Sequence, residues 1–178
     1  MGNCFLNKSI FSIVLTSFFF FFEKETSAFD KGKLEKFKLS KKCEYCDLSD
    51  CVLSKLNLQG SNLQNAKLEN ATLEESDLSP KKMEKMTLYT NLENANFRNA
   101  NLKGADLSLS KLNNSYFKGA NLQGVLLFKS DLSGGNFAKA DFTNANLTDA
   151  NLTDAKLDEA IFCSTIMPNG ETNNKNCK

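Results

Sequence analysis

The chain has 178 residues, 22 Lys and Arg against 21 Asp and Glu, a formal net charge of +1, and neither His nor Trp. So neutral a balance argues against a polyanion binder and against an acidic mimic of one. The lack of His removes the commonest general base and a leading metal ligand together.

Residues 1–28 read as an export signal. Lys8 supplies a short positive region, and Ile10 to Phe22 is a 13-residue apolar run ending in five Phe. A membrane span needs roughly 20 residues, so a run this short reads as a signal core. Thr26-Ser27-Ala28 offers small residues for cleavage; an uncleaved N-terminal anchor is the alternative. Met1-Gly2-Asn3-Cys4 resembles an acylation start, but Leu6 stands where that motif wants Ser or Thr. Cleavage removes two residues of each charge sign and leaves no stable membrane span. The expected location is the periplasm, the thylakoid lumen or the extracellular space.

Residues 29–45 form a Lys-rich connector and N-terminal cap. Lys31, Lys33, Lys36, Lys38, Lys41 and Lys42 alternate with Leu34, Phe37 and Leu39, which suits either one helical turn or a solvated linker.

From Cys46 to Met167 the chain repeats every five residues. The third place of each unit is filled first by Leu48, Leu53, Leu58, Leu63, Leu68, Leu73, Leu78, Met83 and Leu88. It then runs through Leu92, Phe97, Leu102, Leu107, Leu112, Phe117, Leu122, Leu127, Leu132, Phe137, Phe142, Leu147, Leu152, Leu157 and Phe162 to Met167. A helix needs apolar residues at three and four and a strand at two, so a strict five serves neither. It describes a solenoid whose core is a narrow tube, with one large side chain per unit pointing inward. The residue two places earlier, often Ala as at Ala66, Ala95 and Ala145, fills the remaining space.

Units such as Ala95-Asn96-Phe97-Arg98-Asn99 and Ala145-Asn146-Leu147-Thr148-Asp149 resemble those of the pentapeptide repeat family, and the chain looks like an exported bacterial member. The resemblance implies an all-β fold, a right-handed quadrilateral β-helix with twenty residues per coil. Phe97, Phe117 and Phe137 recur at that spacing, as do Phe142 and Phe162. Twenty-five units then make about six coils, a rod on the order of 30 Å long at strand-like spacing. Asn and Asp before the central residue suit corners, where their side chains bond to turn backbone, so they read as architecture and not as metal or phosphate ligands.

Two irregularities stand out. Leu78 to Leu92 spans fourteen residues where three units need fifteen, and Lys81 and Met86 fall on the small inward place. A lysine cannot enter a dry tube without a partner and Pro80 lacks a ladder donor, so a loop interruption is expected near residues 79–91. It is either a tolerated insertion or a functional loop. Separately, Leu109, Leu126, Phe128 and Ile166 occupy outward places in units centred on Leu107, Leu127 and Met167. They form a candidate interaction surface for a protein partner or a second copy.

The cysteines lie at the two ends. Cys163 and Cys177 bracket a Pro168-Asn169-Gly170 turn and read as a disulfide closing the tail, residues 168–178; similar exported family members end in a comparable arrangement. Cys43 is expected to pair with Cys46 as an N-terminal clasp, with Cys43 to Cys51 as the alternative. Zinc needs a second nearby pair, and a thiol oxidoreductase needs a thioredoxin-like setting that this pattern lacks.

No catalytic residue, cofactor or metal site emerges. The expected function is that of a non-catalytic exported structural or protein-binding solenoid, not an enzyme. Mimicry of duplex DNA to inhibit a topoisomerase, known in the family, is the alternative; neutral charge and export disfavour it, and no nucleic-acid partner is expected. A thiol oxidoreductase acting through Cys43 and Cys46 is the remaining one.

Overall fold

The structure, a computed structural model, describes residues 40–177. The expected signal over 1–28 and the expected connector up to Leu39 lie outside the described residues.

The five-residue unit becomes one side of a square coil. In the unit around Leu48, Leu48 points inward and its N–H bonds the Lys67 carbonyl of the next coil at 2.7 Å. Lys67 in turn donates to the Cys46 carbonyl at 2.8 Å. The corner closes by a bond from the Cys51 N–H to the Leu48 carbonyl at 3.2 Å, with Asp50 at φ 58°. A positive φ at the second central residue alone is the mark of a type II turn. The same bond and the same positive φ recur at corner after corner.

Asn and Asp hold these corners from the side. Asn96 Oδ1 accepts the Arg98 N–H at 3.1 Å, and Asn101, Asp131 and Asn146 do likewise for the residue two places on. The short amide or carboxylate thereby satisfies a turn N–H that the ladder leaves over.

Four parallel ladders run along the coil. The first joins Lys42, Asn62, Asn91, Lys111, Asp131 and Asn151; the others begin at Asp47, Val52 and Asn57. Each ladder holds six residues twenty apart, except that the second and third are separated by twenty-nine, as Asn62 and Asn91 are. Numbered by these ladders, the sides are 1 to 4 and the coils likewise 1 to 6.

The central residues stack into a continuous core. Phe97 lies 4.5 Å from Phe117 and Phe117 5.0 Å from Phe137, all near parallel, while Phe142 and Phe162 stack at 5.4 Å. Gly135 replaces the usual Ala beside Phe137 because a Cβ there would meet the ring at 2.6 Å. Ser76, which takes the small place, donates its hydroxyl to the Leu73 carbonyl at 2.7 Å, whereas the buried Ser61 hydroxyl in the same kind of place has no partner.

The nine extra residues form a hairpin of two antiparallel strands, β1 (Lys81–Lys82) and β2 (Thr87–Leu88), pairing Lys81 with Leu88 and Lys82 with Thr87. It falls within the interruption expected near residues 79–91 and sharpens two details of the repeat. Met83 and Leu88 are not core residues but exposed ones, at 53% and 41%. Asn91 is not in the interruption: it is a ladder residue, and Thr90 before it is already buried. Leu78 and Leu92 are therefore adjacent centres separated by one insertion, not three units short of one residue.

The ends also differ from expectation. Lys42 and Cys43 already lie in side 1, so the coil starts before Cys46. At the other end β3 (Thr165–Ile166) pairs antiparallel with β4 (Thr172–Asn173), and Phe162 donates to the Lys175 carbonyl at 2.9 Å. The tail thus covers sides 3 and 4 of the last coil. In the last coil Leu152, Leu157 and Met167 are only partly buried, where the central residues of the middle coils are fully so.

Candidate functional site: the hairpin and the apolar corner

The hairpin is clamped at the corner between sides 4 and 1. Gly60 donates its N–H both to Thr90 Oγ1 at 2.9 Å and to the Ser79 carbonyl at 3.2 Å, and Thr90 Oγ1 donates to that same carbonyl at 3.2 Å. Gly60 sits at φ +62°, and a Cβ there would lie 3.0 Å from Lys81 Cβ and from the Leu88 carbonyl oxygen. Only glycine meets both the left-handed backbone and the close approach of the hairpin.

From that base the hairpin leans toward the start of the coil. The Lys41 ammonium feels it: burial first, then the charge of Lys81, pulls its pKa below the usual lysine value, against the opposing charge of Asp77. Lys41 donates to Asn57 Oδ1 at 2.9 Å. At the same end, Asp47 is held below the ordinary carboxylate range, chiefly by its hydrogen bond with Ser49.

The apolar residues of the wall approach the hairpin from the other side. Leu126 and Phe128 flank the buried Leu127 on the outside of side 4, and Leu109 in the preceding coil donates its N–H to the Phe128 carbonyl at 2.8 Å. Tyr89 and Leu109 share an open groove of about 560 Å³ with Glu93, Lys111, Lys129 and Asp131. Lys129 Nζ stands 4.9 Å above the Phe128 ring. Tyr89 and Leu109 thus meet at one corner, Phe128 adjoins Leu109 there, and Leu126 lies beside them on the ladder of side 4. Ile166 does not join them: it is on the ladder of Leu126, but Asn146 intervenes.

Two of these side chains oppose their local backbone. Leu109 has φ 57°, like the equivalent residue of the other corners, but among the described residues it is the one leucine in that region, where mostly Asn, Asp, Gly and charged residues stand elsewhere. Leu126 stands where Asn or Asp accepts a turn N–H in most units, and it has no oxygen to offer.

Disulfides join Cys43 to Cys46 and Cys163 to Cys177, and the buried Cys51 stands outside both. Among the described residues no group of three or more His, Cys, Asp or Glu is placed to hold a metal ion, and no helix is long and apolar enough to cross a membrane. Sequence reasoning missed Tyr89, Leu88 and Gly60 as parts of this surface. The only available signal was the re-entry motif Thr90-Asn91-Leu92, which restarts the beat.

A four-sided β-solenoid with one inserted hairpin is the class that this geometry defines. The family model for pentapeptide repeats matches residues 43–79, 90–127 and 126–162, in eight copies, and the chain belongs to that family. The gap between the first two matches falls on the hairpin. Among solved structures, the pentapeptide repeat protein Rfr23 from the cyanobacterium Cyanothece 51142 is 26% identical, with a TM-score of 0.51 over 72% of this chain and 92% of that one. A pentapeptide repeat protein from the Arabidopsis thaliana thylakoid lumen is 25% identical over 66% of this chain and 69% of its own, TM-score 0.36. QnrB1, a plasmid-mediated fluoroquinolone resistance protein, is 22% identical over 71% and 64%, TM-score 0.43. No curated protein matches the chain. The coil is accordingly the right-handed quadrilateral β-helix of the family, whose members are generally structural or binding proteins.

Proposed function

We propose that the protein is an exported, non-catalytic rod that binds a protein partner, or a second copy of itself, along the corner between sides 4 and 1. The observation that carries this reading is the pair Leu109 and Leu126. Each is apolar where its backbone favours another residue, and both lie in one strip with Phe128 and Tyr89. Residues that break local rules without local compensation point to a role outside the fold. Export rests on residues 1–28 and agrees with disulfides at both ends of the coil. A duplex mimic would require an acidic rod, and this chain carries a formal charge of +1.

The test is sedimentation velocity of the protein and of Leu126→Asp/Phe128→Asp, with circular dichroism to confirm the coil. If the wild type associates, the double variant is expected to sediment as a monomer. Association that survives both substitutions would remove the strip from the interface.

A further inference from the structure

The hairpin has a chemistry of its own, separate from the strip it abuts. Residues 81–89 are all exposed, and Met83 donates its N–H to the Met86 carbonyl at 2.9 Å across a turn whose two central residues are Glu84 and Lys85. Pairing of Lys81 with Leu88 and of Lys82 with Thr87 sets the alternation, so the pair Met83 and Met86 shares its face with Lys81 and Leu88. The tip thus presents two exposed methionines beside lysines, on the face whose base rests on Gly60.

Its charge is net positive, with Asp77 near its foot. Lys81, Lys82 and Lys85 face a single acid within the hairpin, Glu84, and Lys41 at its foot adds a fourth positive charge. Among the described residues the ion pairs join Lys55 to Glu75, Lys67 to Asp47 and Lys139 to Glu159, none of them in the hairpin. Two unbranched, flexible side chains beside long amines suit an interface that deforms around them: the amines reach phosphates while the thioethers enter the acyl boundary. A rigid protein partner would instead need a pocket shaped to this tip.

We propose that the Lys81 to Leu88 hairpin docks peripherally on an anionic phospholipid surface, with Met83 and Met86 entering the headgroup boundary. The rod is then held by the end near Lys41, leaving the strip around Leu126 and Phe128 open to a partner.

The absence of Trp from the chain makes the test specific. In the full chain, Met86→Trp provides a single tryptophan, at the tip, that can be excited apart from the tyrosines. Vesicles of phosphatidylcholine doped with phosphatidylglycerol, some carrying brominated chains, are expected to shift its emission to the blue and to quench it. Pure phosphatidylcholine vesicles should do neither. Each lysine near an anionic leaflet is worth roughly fivefold in partition, so adding Lys81→Gln, Lys82→Gln and Lys85→Gln should weaken the response on the order of a hundredfold. A tryptophan unchanged by anionic vesicles, or one equally quenched in neutral vesicles or without the lysines, overturns the proposal. A tip silent on vesicles but shifted by an acidic amphipathic peptide would overturn it in favour of a protein partner.

Discussion

Leu109 donates its backbone N–H to the carbonyl of Phe128 at 2.8 Å, which seats a left-handed leucine of one coil directly on the aromatic unit of the next. That bond is ordinary ladder architecture. The two side chains above it are not, because neither contributes to the buried core.

If Leu109 and Leu126 serve a contact and not the fold, replacing them should leave the free protein no less stable. Leu126→Asn restores the acceptor for the turn N–H and is expected to stabilise by about 1 kcal/mol, a typical net hydrogen bond. Leu109→Gly relieves a left-handed Cβ and should stabilise by up to about 1 kcal/mol. Thermal unfolding of the two variants checks this, and a loss of more than that in either would make the leucine structural.

Phe117 stacks between Phe97 and Phe137. Phe117→Ala should destabilise by about 3–5 kcal/mol, since the tube cannot collapse around the missing ring. Phe117→Leu, which gives this unit the residue most other units carry, should be much milder, and urea titration separates the two. Equal losses would mean that the stacking geometry itself, and not volume, holds the middle coils.

Thr90 joins Gly60 to the Ser79 carbonyl at the foot of the hairpin. Thr90→Val keeps the shape and removes the hydroxyl, leaving the buried Gly60 N–H with only its 3.2 Å bond to Ser79. The expected effect is about 1–2 kcal/mol, with faster hydrogen exchange confined to residues near 60 and 79–90. Slower exchange there, or a uniform change along the rod, would refute the clamp.

Cys163 and Cys177 close a segment of 14 residues. Cys177→Ser should release the tail and lose about 3 kcal/mol of loop-closure stabilisation in the entropic account. The N–H groups of Phe162 and Met167, which bond the carbonyls of Lys175 and Glu171, should then exchange faster while side 1 of the first coil is unaffected. Retained protection at both would show that β3 and β4 hold without the crosslink.

Much of the coil was legible in the sequence because one physical demand, a large side chain inward every five residues, repeats without variation from Leu92 to Phe162. The length of the interruption was obscured for the same reason. Met83 and Leu88 fall in phase with Leu78, so period alone cannot tell a core leucine from one resting on Gly60. Lys81 and Pro80 marked the segment as irregular, but its length followed only from the twenty-nine residues between Asn62 and Asn91. That the hairpin and the apolar wall share a corner was beyond reach, since Tyr89 and Lys129 are forty residues apart and meet only once the coil is closed.

The most direct measurement is affinity capture with the immobilised protein, run beside Leu126→Asp/Phe128→Asp of unchanged circular dichroism and quantified by mass spectrometry. The account predicts at least one protein, a second copy of this chain included, that the wild type retains and the double variant releases. Identical retention by both would contradict the corner as the binding surface.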